Sequence, residues 1–287
     1  MLGGRSGPRR YAITFGEVSI LHTGSAQIGG GMRERGFSVN RLRTLAATFA
    51  EVGCNAELVM ISDALPEELR TDNEAAALVL RNGVEKILGN AGAPDALWQE
   101  QESEVRYDTK YWDSRRSRTL NKRARHNVVF GDESVEPSAD FRRFTVKAFS
   151  ALPHLSALRT ALSDRLGPEA QGLNAEGNLY FEDASGIGFH GDGERKIVVC
   201  VSLGSPSVLR FHWRLPNSSE HTFEPVDITV HHGDIYIMSE KATGFDWRSR
   251  SRVRVVHAAG SSKYIGRGLK RSLDTGTGAE SATAGDR

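Results

Sequence analysis

The sequence is poor in cysteine, in charge of one sign and in long apolar runs. Two cysteines, Cys54 and Cys200, occur in 287 residues. Two thiols cannot build a disulfide framework or a Cys-based zinc site, and both lie in apolar runs that suit buried, reduced thiols. Lys and Arg number 37 against 36 Asp and Glu, a net charge of +1. That balance excludes a uniformly basic nucleic-acid coat but leaves room for a local patch. No apolar run approaches the roughly 20 residues needed to cross a bilayer. The basic first ten residues lead into only a short apolar stretch, unlike a secretory signal. These absences predict a soluble, intracellular protein, cytoplasmic or nuclear, with no membrane partner. The composition, 39% hydrophobic and 25% charged, is that of an ordinary globular chain of one large domain or two modest ones.

The first 95 residues alternate element types and read as a small α/β region. Residues 11–15, 56–61 and 76–80 have strand character, and residues 83–88 form a short helix. Residues 37–52 form a helix, with Ser38 or Asn40 as its cap and Leu42, Leu45, Ala46 and Phe49 on one face. A polar, helix-prone stretch at 94–105 leads into the most basic part of the chain. There Lys110, Arg115, Arg116, Arg118, Lys122, Arg123 and Arg125 are interleaved with Tyr111 and Trp112. Cations beside aromatic rings are what a phosphate-tracking, base-stacking surface requires, so these seven are the candidate nucleic-acid contacts.

From residue 141 the texture changes to short strands. Residues 196–204 (KIVVCVSLG) form a continuous apolar run, the mark of a strand covered on both faces. Residues 208–215 alternate, with Leu209, Phe211, Trp213 and Leu215 on one side and Arg210, His212 and Arg214 on the other. Further strands at 227–230, 234–238 and 252–259 imply a sandwich, barrel or jelly roll. Residues 272–287 are rich in Gly, Ser, Thr and Ala and read as a disordered tail.

His190-Gly191-Asp192 follows a turn and precedes the buried strand. Residues i and i+2 of a strand share a face, so His190 and Asp192 can address one ion. A third ligand must come from elsewhere: His257 ends an apolar strand, and His231 and His232 remain alternatives. Two His and one carboxylate with open positions make the facial triad of non-haem Fe(II) oxygenases. The G-x-G-x-x-G spacing of residues 186–191 is followed by a strand, not a helix, which argues against a dinucleotide site.

Asn178-Leu179-Tyr180, His190-Gly191-Asp192, Val201-Ser202-Leu203-Gly204, Leu209-Arg210-Phe211 and His232-Gly233-Asp234 occur in one order. That order resembles the AlkB-like branch of the 2-oxoglutarate/Fe(II) dioxygenases, over roughly a third of the chain. The resemblance implies an α+β protein whose C-terminal part is a double-stranded β-helix, or jelly roll. Residues 96–271 would be the dioxygenase domain, 1–95 an α/β region of unassigned role. His190, Asp192 and His257 would be the catalytic metal ligands for Fe(II), and Asn178 and Tyr180 would hydrogen-bond the 2-oxoglutarate co-substrate. Molecular oxygen would be the oxidant, and alkylated nucleic acid, DNA or RNA, the leading substrate. An oxygenase acting on protein or small molecules, and a catalytically inactive nucleic-acid-binding module, are the alternatives. The family places a basic residue after the distal His to pair with the co-substrate's far carboxylate, and an Arg six residues beyond it. This sequence departs there: Lys263 and Arg267 are the candidate anchors, and neither has an Arg six residues on. The pair Arg248 and Arg254 has the spacing but precedes His257.

Overall fold

The apolar run of the sequence lies in the middle of an eight-stranded sheet, where two different partners cover its two faces. The computed structural model describes residues 9–17 and 31–266. The elements run in the order β1 (Arg10–Gly16), α1 (Val39–Glu51), β2 (Ala56–Met60), α2 (Glu67–Arg70), β3 (Ala76–Leu80), α3 (Gly83–Leu88), α4 (Ala93–Glu104), β4 (Lys110–Asp113) and β5 (Arg118–Asn121). They continue with β6 (His126–Gly131), β7 (Val146–Ala148), α5 (Pro153–Leu166), β8 (Asn174–Tyr180), β9 (Gly186–His190) and β10 (Val198–Gly204). The last are β11 (Ser207–Arg214), β12 (Val226–Val230), β13 (Ile235–Met238), β14 (Arg254–Gly260) and α6 (Ser262–Ile265).

The large sheet has the order β2-β3-β13-β10-β1-β8-β6-β7, the small one β12-β11-β14-β9, and β4 and β5 form a separate hairpin. Every pairing is antiparallel except that of β6 with β7. The protein is therefore a mixed α+β fold dominated by antiparallel sheets.

Period-two alternation separates two cores. On β1 the residues Tyr11, Ile13 and Phe15 join Val199, Val201 and Leu203 of β10 against the helices, whose Leu42, Leu97, Leu155 and Leu158 pack over them. The opposite face of β10, with Val198 and Cys200, meets Leu209, Phe211, Trp213 and Val255 of the small sheet. Ser38 caps α1 as expected, its side chain accepting from the Arg41 amide at 3.0 Å.

The expected division at residue 95 does not coincide with a boundary in the sheet. β2 and β3 extend the large sheet beside β13, and β1 is inserted between β8 and β10. Alternating strands and helices suggested a separate α/β unit, but these strands pair antiparallel with each other and with strands from the second half. The expected tail at 272–287 lies outside the described residues.

Candidate metal centre

His190 and His257 meet because the register of the small sheet places them opposite each other. β14 pairs with β9 so that His257 faces His190, and a bulge follows between His257 and Ala259. Directly paired residues share a face with their Cβ atoms about 5 Å apart, and here the ring centroids are 4.6 Å apart. β9 ends at His190, so Asp192 reaches the same point from the turn beyond it and not from the strand itself. That turn is held by the Asp192 amide donating to the Thr243 carbonyl at 2.9 Å and by the Arg195 amide donating to the Asp192 carbonyl at 3.1 Å.

Asp192 Oδ1 lies 3.6 Å from His190 Nε2, and Oδ2 lies 3.8 Å from His257 Nε2. One ligand atom from each residue falls within 4.8 Å of the others, and among the described residues this is the one His/Cys/Asp/Glu group so arranged. The His190 Nδ1 lies 2.8 Å from the Gly188 carbonyl. Donation there fixes the tautomer and leaves the Nε2 lone pair facing Asp192. His257 is 5% exposed. Burial, then His190 and Arg195, hold its pKa well below the usual histidine range, which keeps the imidazole neutral and able to ligate. His231 and His232 do other work. The His231 amide donates to Asp234 at 2.9 Å, and His232 Nδ1 accepts from the Gly204 amide at 2.9 Å.

The three ligands line a cavity of about 150 Å³ between the two sheets. A water occupies roughly 30 Å³ in the liquid, so the space holds a few waters or a small organic acid. Asn178 and Tyr180 line it from β8, as expected. The Arg125 Nε donates to Asn178 Oδ1 at 2.6 Å. Lys263 is exposed on α6 beside the Tyr264 ring and does not line the cavity; Arg267 lies outside the described residues. Arg254 is buried and donates to the Leu215, Ser218 and Trp247 carbonyls, so it fastens a loop. Among the cavity residues that escaped the sequence reading are Arg10, at the start of β1, and Arg195, just before β10. The signal available for Arg195 was a charge at the edge of a fully apolar run. Arg10 had none, because its proximity arises from strand pairing across more than 160 residues.

The basic segment forms the β4–β5 hairpin beside a groove of about 900 Å³. Arg116, Arg118, Lys122, Arg123 and Arg125 line this groove, with Tyr111, Trp112 and Phe144. Lys110 and Arg115 are exposed on the same hairpin but outside the lining. Arg125 and Glu176 line both the groove and the cavity, so the two adjoin. Burial brings Lys122 down to about 8.

No protein-family profile matches the chain. It is 32% identical over 258 residues to an uncharacterized protein of Acanthamoeba polyphaga mimivirus, an alignment that takes in 88% of this chain and 96% of the viral protein. The chain belongs to one family with that mimivirus protein.

Proposed function

We propose that this protein is a non-haem Fe(II) oxygenase that uses 2-oxoglutarate as co-substrate and acts on nucleic acid. The observation that carries the reading is the convergence of His190, Asp192 and His257 on one point at the wall of a cavity between the two sheets. Two imidazoles and one carboxylate suit Fe(II), and three protein ligands leave open positions for further ones. The strand order supports a double-stranded β-helix as the scaffold. β8, β10 and β13 lie in the large sheet, and β9, β11, β12 and β14 in the small one.

When bound, iron and 2-oxoglutarate would let molecular oxygen be split between succinate, formed with loss of CO2, and a hydroxylated substrate C–H bond; an N-methyl group so hydroxylated is lost as formaldehyde. The chain's own residues prepare the site. The Gly188 carbonyl orients His190, the turn to Thr243 sets Asp192, and Arg125 holds the Asn178 amide with its Oδ1 engaged. Leu209 and Val230 give the cavity wall an apolar part.

The adjoining groove favours nucleic acid as the substrate. Five cationic side chains and three aromatic rings can track phosphates and stack bases, and a base turned out of its strand could enter where Arg125 joins groove to cavity. The test is oxygen-dependent conversion of 2-oxoglutarate to succinate by the iron-loaded protein. Asp192→Ala should abolish it, and succinate formation at the wild-type rate by that variant would refute the assignment. Affinity for a single-stranded oligonucleotide should fall with log salt, with a shallower slope once Arg116 and Arg118 are neutralised. A metal-independent binder with no affinity for 2-oxoglutarate would instead be a binding module.

A further inference from the structure

The cavity contains two guanidinium groups that the three ligands do not use. Arg10 stands on the inward face of β1 with Ala12 and Thr14, in register with Tyr180 on β8. Its Cζ lies 4.6 Å from the centroid of the Tyr180 ring, and its Nη2 donates to the Ser185 carbonyl at 2.9 Å. Its Nε is buried without a partner. Among the described residues no carboxylate lies within ion-pair distance of this cation, and Asp183 acts on it only from further away.

Arg195 is 4% exposed and carries a second buried, unpartnered Nε. Its Nη2 lies 3.4 Å from Glu176 and 3.5 Å from Glu194, at the long end of ion-pair distances. Its amide donates to the Asp192 carbonyl at 3.1 Å and it lines the same cavity as the ligand cluster, with Asp192, Glu176, Glu194 and Glu17 all acting on its charge. Its side chain also explains a glycine. A Cβ on Gly16, the last residue of β1, would lie 2.4 Å from the Ile197 carbonyl oxygen and 3.2 Å from Arg195 Cδ. β1 cannot carry a side chain there, and the arginine stem from the β9–β10 loop occupies that position.

Two cations, half-buried Arg10 by Tyr180 and buried Arg195 beside the triad, each keep a buried Nε without a partner and suit an anionic ligand with charge at both ends. Resting on the oxygenase reading, we propose that Arg10 and Arg195 clamp a 2-oxo dicarboxylate. Arg195 steadies the carboxylate next to the metal ligands, and Arg10 with Tyr180 grips the far carboxylate through a bidentate contact. The site then needs both ends of the chain: β1 supplies the grip, and residues from β8 to β14 supply the rest. Arg10 is the residue that selects ligand length and charge.

The experiment is anaerobic titration of the full chain loaded with Co(II), comparing 2-oxoglutarate with 2-oxopentanoate, which has the same carbon count but lacks the far carboxylate. Binding is read by tryptophan fluorescence and by the Co(II) visible spectrum. The wild-type protein should prefer 2-oxoglutarate. Arg10→Met should lose roughly 10- to 150-fold in 2-oxoglutarate affinity, the cost of a charge-assisted contact. Its 2-oxopentanoate and Co(II) affinities should stay unchanged. Arg195→Met should weaken both acids together. Arg10→Lys, which keeps the charge, should recover part of the preference and decides the matter if the Met variant does not fold. An Arg10→Met or Arg10→Lys protein with the full wild-type preference overturns the clamp while leaving the oxygenase reading intact. A wild-type, metal-loaded protein that binds neither acid overturns both.

Discussion

Gly191 separates two of the three metal ligands, and replacing it with alanine tests whether their placement depends on close packing. A Cβ at this position would lie 2.3 Å from the Gly244 carbonyl oxygen and 2.7 Å from both Cβ and Cδ1 of Trp247. Ordinary contact begins about 1 Å further out, and the nearest obstacle is backbone, which yields little. Gly244 has a φ of +69°, and a Cβ on it would in turn meet the Gly191 Cα at 2.9 Å. The two glycines therefore hold the ligand turn against the loop that precedes β14. Overpacking of this kind costs about 1–3 kcal/mol. In a chain of this length that lowers the thermal midpoint by roughly 2–5 °C. Relief of the clash must move the 190–192 turn, and disturbing the support of a ligand typically weakens metal binding 10- to 100-fold. Calorimetry of the apo protein measures the first effect and Co(II) titration the second. A Gly191→Ala protein with wild-type Co(II) affinity would refute the reasoning, even if its midpoint fell.

Two further perturbations bear on the scaffold and the groove. Asp234, 2% exposed, accepts from Arg81 Nη1 at 2.8 Å, from the Asn82 amide at 3.0 Å and from the His231 amide at 2.9 Å. Asp234→Ala should cost about 3 kcal/mol in denaturant unfolding, because two amides lose their acceptor and Arg81 loses one of its two carboxylates, keeping only Glu57; a change below about 1 kcal/mol would show that water replaces these bonds. Burial lowers the Lys122 ammonium from 10.5 to about 8. Because the folded value is the lower one, the cost of burying the charge is full below pH 8 and fades as pH rises towards 10.5. Lys122→Met should therefore stabilise the protein at pH 7 and leave stability nearly unchanged above pH 10. Oligonucleotide affinity should fall as pH rises through 8 in the wild-type protein and not in the variant. Thermal midpoints and binding curves across that range check both statements.

How much of this was legible in the sequence depends on whether the signal is local. The run at 196–204 reads as a strand covered on both faces because its neighbours in sequence are also apolar, and β10 is so covered. The alternation of residues 208–215 reports the two faces of β11, with Leu209, Phe211 and Trp213 buried towards the large sheet. His190 and Asp192 could be paired from spacing, although a turn brings Asp192 round where the sequence suggested a strand. His257 needed the strand register, which only its position at the end of an apolar run hinted at. The hairpin at 110–121 carries too little apolar alternation to announce itself as strands, and its signal was charge. The insertion of β1 between β8 and β10 was invisible, because no local pattern encodes which distant strand a segment will pair with. For that reason nothing in the sequence marks Arg10 as a residue of the cavity wall, and nothing there shows that Lys263 stands outside it.

The central claim is that His190, Asp192 and His257 hold Fe(II) with an open face that admits 2-oxoglutarate. Anaerobic titration of the apo protein with Fe(II) and 2-oxoglutarate, followed by visible absorption, tests metal site and co-substrate together without knowledge of the substrate. A metal-to-ligand charge-transfer band should grow in only when both are present, saturate at one of each per chain, and be absent from His257→Ala. Tight Fe(II) binding with no such band at saturating 2-oxoglutarate would contradict the account.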